Sequence, residues 1–309
     1  MMKKFAPLFV ITAAALWGVD GIILRPSLYT LPVSLVVFIE SSIVALILSP
    51  LFIKQIPKLK ELKTKDWLSF GGVALFGGAI GTMAITKALF YVDFVNLSIV
   101  ILIQKLQPLF AILLAAIILK ERLPKIFFLW AAGAILGAYL MTFGTNLPNV
   151  NAGDKTAYAA LFALIAALSF GSSTVFSKRA LKNVGFELGT YLRFTITSII
   201  MLIIILSFGE IKSIAEITAA QILIFLVIAF TTGGLAIFLY YFGLKNVTAS
   251  VATICELAFP LTAVILEYIL RDNILDIVQW TGVAILLISI FKVSGIRVQR
   301  NRNSNNTIE

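Results

Sequence analysis

Two long apolar segments, each interrupted by a proline near its middle, constrain this chain more than any other feature. They are IVILIQKLQPLFAILLAAIILKER at Ile99–Arg122 and VATICELAFPLTAVILEYILRD at Val251–Asp272. A helix of about 20 apolar residues crosses a bilayer, so each segment is long enough to do so. A proline removes a main-chain hydrogen bond and can kink the helix, and lipid tolerates this only where protein or water satisfies the freed carbonyl. We therefore predict that Pro108 and Pro260 are structural hinges that face the interior of a membrane protein.

Polar side chains stand beside both prolines. On a helix, Gln104 and Glu256 lie one turn before the prolines and on the same face, and Lys105 follows Gln104. An ionised side chain at the middle of a bilayer costs about 2.5–3.5 kcal/mol, so such residues face water or a partner. Lys105 can bind a carboxylate or phosphate of a solute, or it can form a structural ion pair with Glu40 or Glu256. Glu256 can bind an ammonium group or carry a coupling proton.

The composition indicates an all-α integral membrane protein. Of the 309 residues, 60% are hydrophobic and only 13% are charged, and the mean hydropathy is +1.01. This length has room for about ten spans and leaves none for a sizeable soluble domain. The predicted spans are Phe5–Leu24, Pro32–Ile53, Trp67–Val92, Val95–Leu119, Ile126–Thr145, Ala157–Ser177, Leu188–Phe208, Ala220–Leu244, Val247–Leu270 and Val278–Val293.

The rare residue types exclude several kinds of chemistry. The chain has no histidine, which removes Ser-His and HExxH catalysis, and its one cysteine, Cys255, lies in an apolar run. No GxxxxGK[ST] motif is present, which argues against direct use of ATP. We therefore expect no enzyme activity, no cofactor and no metal site.

The distribution of positive charge predicts the orientation. If the N-terminus is cytoplasmic, most lysines and arginines fall in the cytoplasmic loops and tail, including those of Lys54–Lys65. This is the pattern of the positive-inside rule, and it predicts a protein of the inner (cytoplasmic) membrane with both termini in the cytoplasm. The net charge of +10 thus follows from topology and requires no nucleic-acid partner.

The two halves of the chain align with each other at a nearly constant offset. Three pairs of residues carry the alignment, with offsets of 153, 153 and 152: Gly18 with Gly171, Glu40 with Arg193, and Pro108 with Pro260. We predict a first repeat at 1–145, an external linker at 146–156, a second repeat at 157–296 and a disordered cytoplasmic tail at 297–309. Five spans per repeat is an odd number, so the second repeat inserts upside down. Inverted repeats place a solute site between the two halves, near the middle of the bilayer.

The chain resembles the EamA-type transporters of the drug/metabolite transporter superfamily. The resemblance rests on ALWG at Ala15–Gly18, the arginine of YLRF at Arg193, the two proline-centred spans, and LKERL at Leu119–Leu123. It implies a basket of ten helices in which spans 1, 3, 4, 6, 8 and 9 line a central cavity. It also implies transport of small metabolites such as amino acids and similar polar solutes.

Further candidate residues lie on the spans that the resemblance places around the cavity. The aromatic residues among them can stack on an organic solute, or they can pack between helices. The predicted solute contacts are Asp20, Trp17, Thr82, Thr86, Tyr240 and Tyr241, in addition to Gln104, Lys105 and Glu256. The predicted gating or ion-pair residues are Glu40, Arg193, Lys87 and Glu267.

These features predict a secondary transporter that exports a small polar metabolite, such as an amino acid, by alternating access, with a coupling proton as one option. A lipid or head-group flippase is the first alternative and requires a lateral opening to lipid. An intramembrane enzyme is the second and requires a catalytic pair. Oligomeric state and substrate identity are not predicted.

Overall fold

The computed structural model describes residues 5–53, 55–91, 100, 103–146, 154–271 and 275–296. Every regular element in these ranges is helical. They contain nine helical stretches long and apolar enough to cross a membrane, and one shorter apolar helix, Gln107–Ile118. The protein is therefore an all-α, multi-pass integral membrane protein, and these ten elements match the ten predicted spans in order. The predicted tail, 297–309, lies outside the described ranges.

The first repeat contains six described α-helices. They are α1 (Ala6–Val19), α2 (Val33–Ile53), α3 (Thr64–Gly72), α4 (Gly81–Tyr91), α5 (Gln107–Ile118) and α6 (Lys125–Phe143). Span 1 continues beyond α1 as a π-helix, Asp20–Leu24, and a short 3₁₀ segment, Arg25–Leu28. Span 3 consists of α3 and α4 joined by a second π-helix, Val73–Ile80.

The second repeat contains seven described α-helices. They are α7 (Asp154–Ala180), α8 (Phe186–Ser207), α9 (Ala219–Phe230), α10 (Gly234–Asn246), α11 (Ala249–Cys255), α12 (Ala258–Arg271) and α13 (Ile277–Ser294). Span 8 is α9 and α10, and span 9 is α11 and α12.

Spans 4 and 9 are interrupted at equivalent places, one turn before each proline. In span 4, the amide of Leu106 donates to the carbonyl of Ile103 at 3.0 Å, and α5 begins at the next residue. In span 9, the amide of Leu257 donates to the carbonyl of Ile254 at 3.1 Å, just before α12. A proline in the first turn of a helix costs little because its missing N–H has no partner there anyway. The helices therefore restart before the prolines instead of kinking at them.

Close packing at glycines relates the two repeats to each other. A methyl group added at Gly18 would lie 2.8 Å from the carbonyl oxygen of Phe259, so span 1 packs directly on span 9. A methyl group at Gly171 would lie 3.0 Å from the carbonyl oxygen of Gln107, so span 6 packs in the same way on span 4. Gly18 and Gly171 occupy equivalent positions in the two repeats, and so do Phe259 and Gln107. Each repeat therefore makes the same contact with the other, as expected for a two-fold relation between inverted copies.

The first turns of spans 3 and 8 also make equivalent contacts, each with a loop of the other repeat. Asp66 accepts a hydrogen bond from the side-chain amide of Asn183, in the loop between spans 6 and 7, at 3.0 Å. Gln221 donates to the hydroxyl of Thr30, in the loop between spans 1 and 2, at 3.0 Å. Each repeat thus holds a loop of the other, and the fold is two inverted five-helix repeats that pack as one domain.

The pattern of burial places the core inside the bundle. The main core, between α1, α6, α10 and the span 9 helices, combines buried alanines such as Ala134 with large buried side chains such as Phe127 and Tyr241. Large aliphatic and aromatic side chains such as Leu46, Ile277 and Phe291 are 71–86% exposed on the outside. In a bilayer these exposed side chains contact lipid.

Glu121, in the loop after α5, joins the repeats through the start of span 9. Its carboxylate accepts hydrogen bonds from the amides of Ala249 and Ser250 at 2.8 and 3.1 Å, and from the Ser250 hydroxyl at 2.6 Å. These are the first residues of α11, so Glu121 caps that helix from another span and complements its dipole.

We expect Glu121→Ala to lower the free energy of unfolding by about 1–2 kcal/mol, because the first amides of α11 lose their acceptor. The thermal midpoint of the purified protein in detergent measures this. Glu216→Ala, which removes an exposed carboxylate elsewhere, is the matched control and should leave the midpoint unchanged. Equal midpoints for Glu121→Ala and the natural protein would contradict the capping role.

Candidate functional site

The carboxylate of Glu256 lies at the break in span 9 and is held by three side chains from three other spans. Tyr240 donates its hydroxyl to Glu256 Oε1 at 2.7 Å, and Thr174 donates to the same oxygen at 3.1 Å. Gln107 donates its amide to Glu256 Oε2 at 3.1 Å. Three hydrogen bonds from three other spans therefore fix the position of this carboxyl group.

These residues bring both repeats together at one point. Gln107 is the first residue of α5 in the first repeat, whereas Thr174, Tyr240 and Glu256 belong to the second. The half-buried Trp17, from span 1, packs against Tyr240 with ring centroids 5.3 Å apart and planes tilted by 54°. We call Trp17, Gln107, Thr174, Tyr240 and Glu256 the central cluster. It combines an aromatic wall with a carboxylate, a hydroxyl and an amide, at the interface where inverted repeats hold their solutes.

Tyr241 and Arg193 lie next to the central cluster. The hydroxyl of Tyr241 is 3.0 Å from the hydroxyl of Ser177, and the guanidinium of Arg193 lies 5.7 Å from the centre of the Tyr241 ring. Tyr241 is fully buried, so its ring packs in the core and its hydroxyl is used within the protein.

A second polar cluster lies near the C-terminal end of span 1. The guanidinium of Arg25 pairs with Asp20 at 2.6 Å and with Glu40 at 3.3 Å. The Thr232 hydroxyl, at the break in span 8, donates to Asp20 at 3.1 Å. We call Asp20, Arg25 and Glu40 the charged triad; with Thr232 it connects spans 1, 2 and 8. Asp20 and Glu40 are thus held in an ion-pair network instead of facing an open vestibule.

Arg25 was not among the residues predicted to act within the membrane, because it falls just outside the predicted end of span 1. In an α-helix, residues five apart point in different directions. The π-helix at Asp20–Leu24 widens the turn and brings Arg25 onto the face of Asp20. No sequence pattern signalled this local change of helix type.

The structure places Lys105 in a different setting from either predicted ion pair. It lies in the turn before α5 and is 9% exposed, and among the described residues its ammonium has no hydrogen-bond or ion-pair partner. Glu40 instead pairs with Arg25, and Glu256 is held by neutral donors. Gln104 is half-buried, and the amide that reaches Glu256 is that of Gln107, because the turn interrupts the helical face on which Gln104 was placed.

Three further predicted residues, Thr82, Thr86 and Lys87, do not join the central cluster. Thr82 and Thr86 donate their hydroxyls to main-chain carbonyls of their own span, at 3.4 and 3.0 Å. Lys87 is exposed and lies over the ring of Phe162 at 5.6 Å. Glu267 belongs to α12, but its side chain lies outside what the structure describes.

An apolar groove of about 780 Å³ opens between α5 and α6. Leu109, Leu113, Phe128 and Leu136 on its walls are 48–59% exposed, so the groove faces lipid. No residue of the central cluster lines it. The lining of this groove is therefore separate from the polar site.

A polar site between two inverted five-helix repeats defines a membrane transporter of small molecules. The EamA-like transporter family matches residues 4–143 and 157–295, and the chain belongs to this family. The protein is a transporter and not an enzyme, which excludes the intramembrane-enzyme alternative.

Similar proteins agree with this assignment. The riboflavin transporter ImpX of Fusobacterium nucleatum is 46% identical over 288 residues, which cover 93% of this chain and 96% of that protein. An uncharacterized transporter of Synechocystis is 25% identical over 76% of this chain and 67% of its own length. A crystal structure at 17% identity has a TM-score of 0.71 and covers 97% of this chain and 98% of that one, which shows the same fold.

Proposed function

We propose that this protein carries riboflavin, or a closely related flavin, across the membrane by alternating access around the central cluster. The observation that carries the proposal is the 46% identity to a riboflavin transporter over nearly the whole of both chains. At 17% identity, by contrast, the similar crystal structure supports the fold alone.

The chemistry of the central cluster supports a flavin. Riboflavin is an uncharged molecule with a flat, three-ring heteroaromatic system and a hydroxylated side chain. The rings of Trp17 and Tyr240 can stack on such a system, and aromatic stacking contributes about 0.5–1.5 kcal/mol beyond burial of area. Thr174, Gln107 and Glu256 offer donors and acceptors for ring-edge amides and hydroxyls. A site built to pair polar groups rejects solutes that leave those groups unpaired.

The amino-acid substrate and the outward direction that the sequence suggested stay predictions. An amino acid carries both an ammonium and a carboxylate, and Glu256 suits the first of these. Amino acids therefore serve as competing solutes in the binding assay below. The repeat boundaries at 1–145 and 157–296 belong to the same proposal, because the two halves must move against each other for alternating access.

We expect the purified protein to bind riboflavin saturably, with quenching of flavin fluorescence by the neighbouring aromatic rings. Trp17→Ala should weaken binding about two- to tenfold, the equivalent of the stacking contribution. Trp280→Ala is the matched control, because Trp280 is 45% exposed on the outside of α13. Uptake of labelled riboflavin by a riboflavin-requiring bacterium that expresses the protein tests transport directly. If riboflavin neither binds nor enters, while an amino acid stabilises the protein, the flavin proposal is wrong.

We further propose that the protein lies in the cytoplasmic membrane with both termini inside, since most basic loop residues fall on that side. We expect Lys212→Cys to react with an impermeant thiol reagent in intact cells and Lys60→Cys to react only after permeabilisation. Both positions are exposed, and the natural Cys255 is fully buried and gives a low background. Labelling of Lys60→Cys in intact cells would reverse the orientation.

A further inference from the structure

Arg193 brings a cation to the edge of the central cluster without an acceptor to match it. It belongs to α8, at the position that Glu40 occupies in the first repeat. Glu40 pairs with Arg25, whereas Arg193 makes no hydrogen bond and no ion pair with any residue that the structure describes. Its side-chain nitrogens are nevertheless accessible to water. A guanidinium carries five N–H donors and stays charged, so these donors are available to a ligand.

Neighbouring groups hold this guanidinium in place but use none of its donors. It lies 5.7 Å from the centre of the Tyr241 ring, and Tyr241 is fully buried. A methyl group added at Gly77, in the π-helix of span 3, would lie 3.9 Å from one of its terminal nitrogens. A ring face attracts a cation electrostatically and leaves its N–H groups free. Arg193 is therefore positioned inside the bundle, between spans 3 and 8, before any solute arrives.

The carboxyl group of Glu256 lies near Arg193 but does not pair with it. The two groups are close enough to interact electrostatically, yet no oxygen of Glu256 lies within 4.0 Å of a guanidinium nitrogen. The oxygen Oε2 has one short donor, Gln107 at 3.1 Å, and a long contact with Thr174 at 3.5 Å. A carboxyl oxygen has two lone pairs, so Oε2 can accept one more short hydrogen bond.

The pattern of burial shows that water reaches these two groups. Thr174 and Tyr240, which hold the carboxyl group from behind, are 4% and 3% exposed. Arg193, Glu256 and Trp17 are half-buried, although all three lie inside the bundle. A set of donors, an acceptor and an aromatic ring thus border the same accessible region.

We propose that Arg193 and Glu256 together bind the imide edge of the flavin ring system, an inference that rests on the function proposed above. This edge presents one N–H group between two carbonyl oxygens. The guanidinium donates to a carbonyl oxygen, and Oε2 of Glu256 accepts from the N–H. The rings of Trp17 and Tyr240 then lie against the faces of the flavin. These two polar residues determine specificity, because a solute that lacks a neighbouring acceptor and donor leaves them unpaired.

Riboflavin analogues test this on the purified natural protein, with quenching of flavin fluorescence as the measure of binding. Riboflavin methylated at the imide nitrogen has lost the N–H, and we expect it to bind about 10- to 100-fold more weakly than riboflavin. In Glu256→Ala most of this difference should disappear, because the acceptor for the N–H is absent. If the methylated analogue binds the natural protein as tightly as riboflavin does, the inference is wrong.

A variant of Arg193 tests the other half of the site. Arg193→Gln should weaken binding of riboflavin about 10- to 100-fold, the equivalent of hydrogen bonds from a charged donor. It should weaken binding of lumiflavin, which keeps the rings but lacks the hydroxylated chain, by the same factor. Arg122→Gln removes an exposed arginine in the loop after α5 and is the matched control that should change nothing. A loss confined to riboflavin would place Arg193 at the hydroxylated chain and overturn the inference.

The failure of this inference differs from the failure of the proposed function. If riboflavin does not bind the natural protein, both are wrong. If riboflavin binds and is transported, but imide methylation or Arg193→Gln leaves its affinity unchanged, only the inference is wrong. The thermal midpoint of Arg193→Gln without solute shows whether the variant folds, and the analogue comparison on the natural protein decides the matter if it does not.

Discussion

We expect Glu256→Ala to lower the rate of solute transport about 10- to 100-fold. The substitution leaves Tyr240, Thr174 and Gln107 without their common acceptor. A buried donor left without its acceptor costs about 1–3 kcal/mol, and a loss of that size in the transport step corresponds to the stated factor. Initial rates of uptake, normalised to the amount of protein in the membrane, measure the effect. Glu216→Ala, on the exposed loop before α9, is the control and should transport at the natural rate.

A second substitution at the same position separates charge from shape. Glu256→Gln keeps the size of the side chain and one acceptor oxygen but cannot ionise. If Glu256 carries a coupling proton, transport by Glu256→Gln becomes independent of pH, whereas transport by the natural protein varies with it. A pH dependence that survives in Glu256→Gln would assign proton coupling to another group. Full transport by Glu256→Ala would remove the central cluster from the pathway altogether.

The second large effect concerns stability. We expect Arg25→Met to lower the free energy of unfolding by about 3–5 kcal/mol, because Asp20 and Glu40 then stay buried without their cation. The side chains of these two acids are only 8% and 14% exposed, so they stay largely shielded from water when the guanidinium is removed. Unfolding of the purified protein in a denaturant series, together with the yield of folded protein, measures the change.

A compensating variant tests whether unpaired buried charge causes the loss of stability. Replacing Arg25 by Met together with Asp20→Asn and Glu40→Gln removes the whole charged triad. This triple variant should be clearly more stable than Arg25→Met alone, because it leaves no unpaired buried charge. Lys212→Met removes an exposed cation and should have no effect. If Arg25→Met is as stable as the natural protein, the triad does not hold spans 1, 2 and 8 together.

The repeat makes the two ends of the transporter chemically different, and this matters for its cycle. One end is joined by an ion-pair network around Arg25, and the other by contacts such as the hydrogen bond from the neutral amide of Asn183 to the carboxylate of Asp66. Alternating access requires each end to open in turn. In the proposed alternating-access cycle, breaking an ion-pair network and breaking such a hydrogen bond cost different free energies, so the states open to the two sides would differ in free energy.

The amino-acid sequence determined the class of the protein, its ten spans, their order in two inverted copies and the family. These follow from hydropathy along the chain and from the repeated placement of glycine and proline, which are local properties. The sequence also singled out Glu256, Trp17 and Tyr240 as residues that face a common interior.

Only the tertiary structure decided which side chains meet there. Gln107 and not Gln104 reaches Glu256, since a turn at Lys105 and Leu106 interrupts the helical period. Arg25 and not Lys105 pairs with Glu40, since a π-helix changes the direction of the chain. Contacts between distant spans depend on such small departures from regular helix, and hydropathy does not record them.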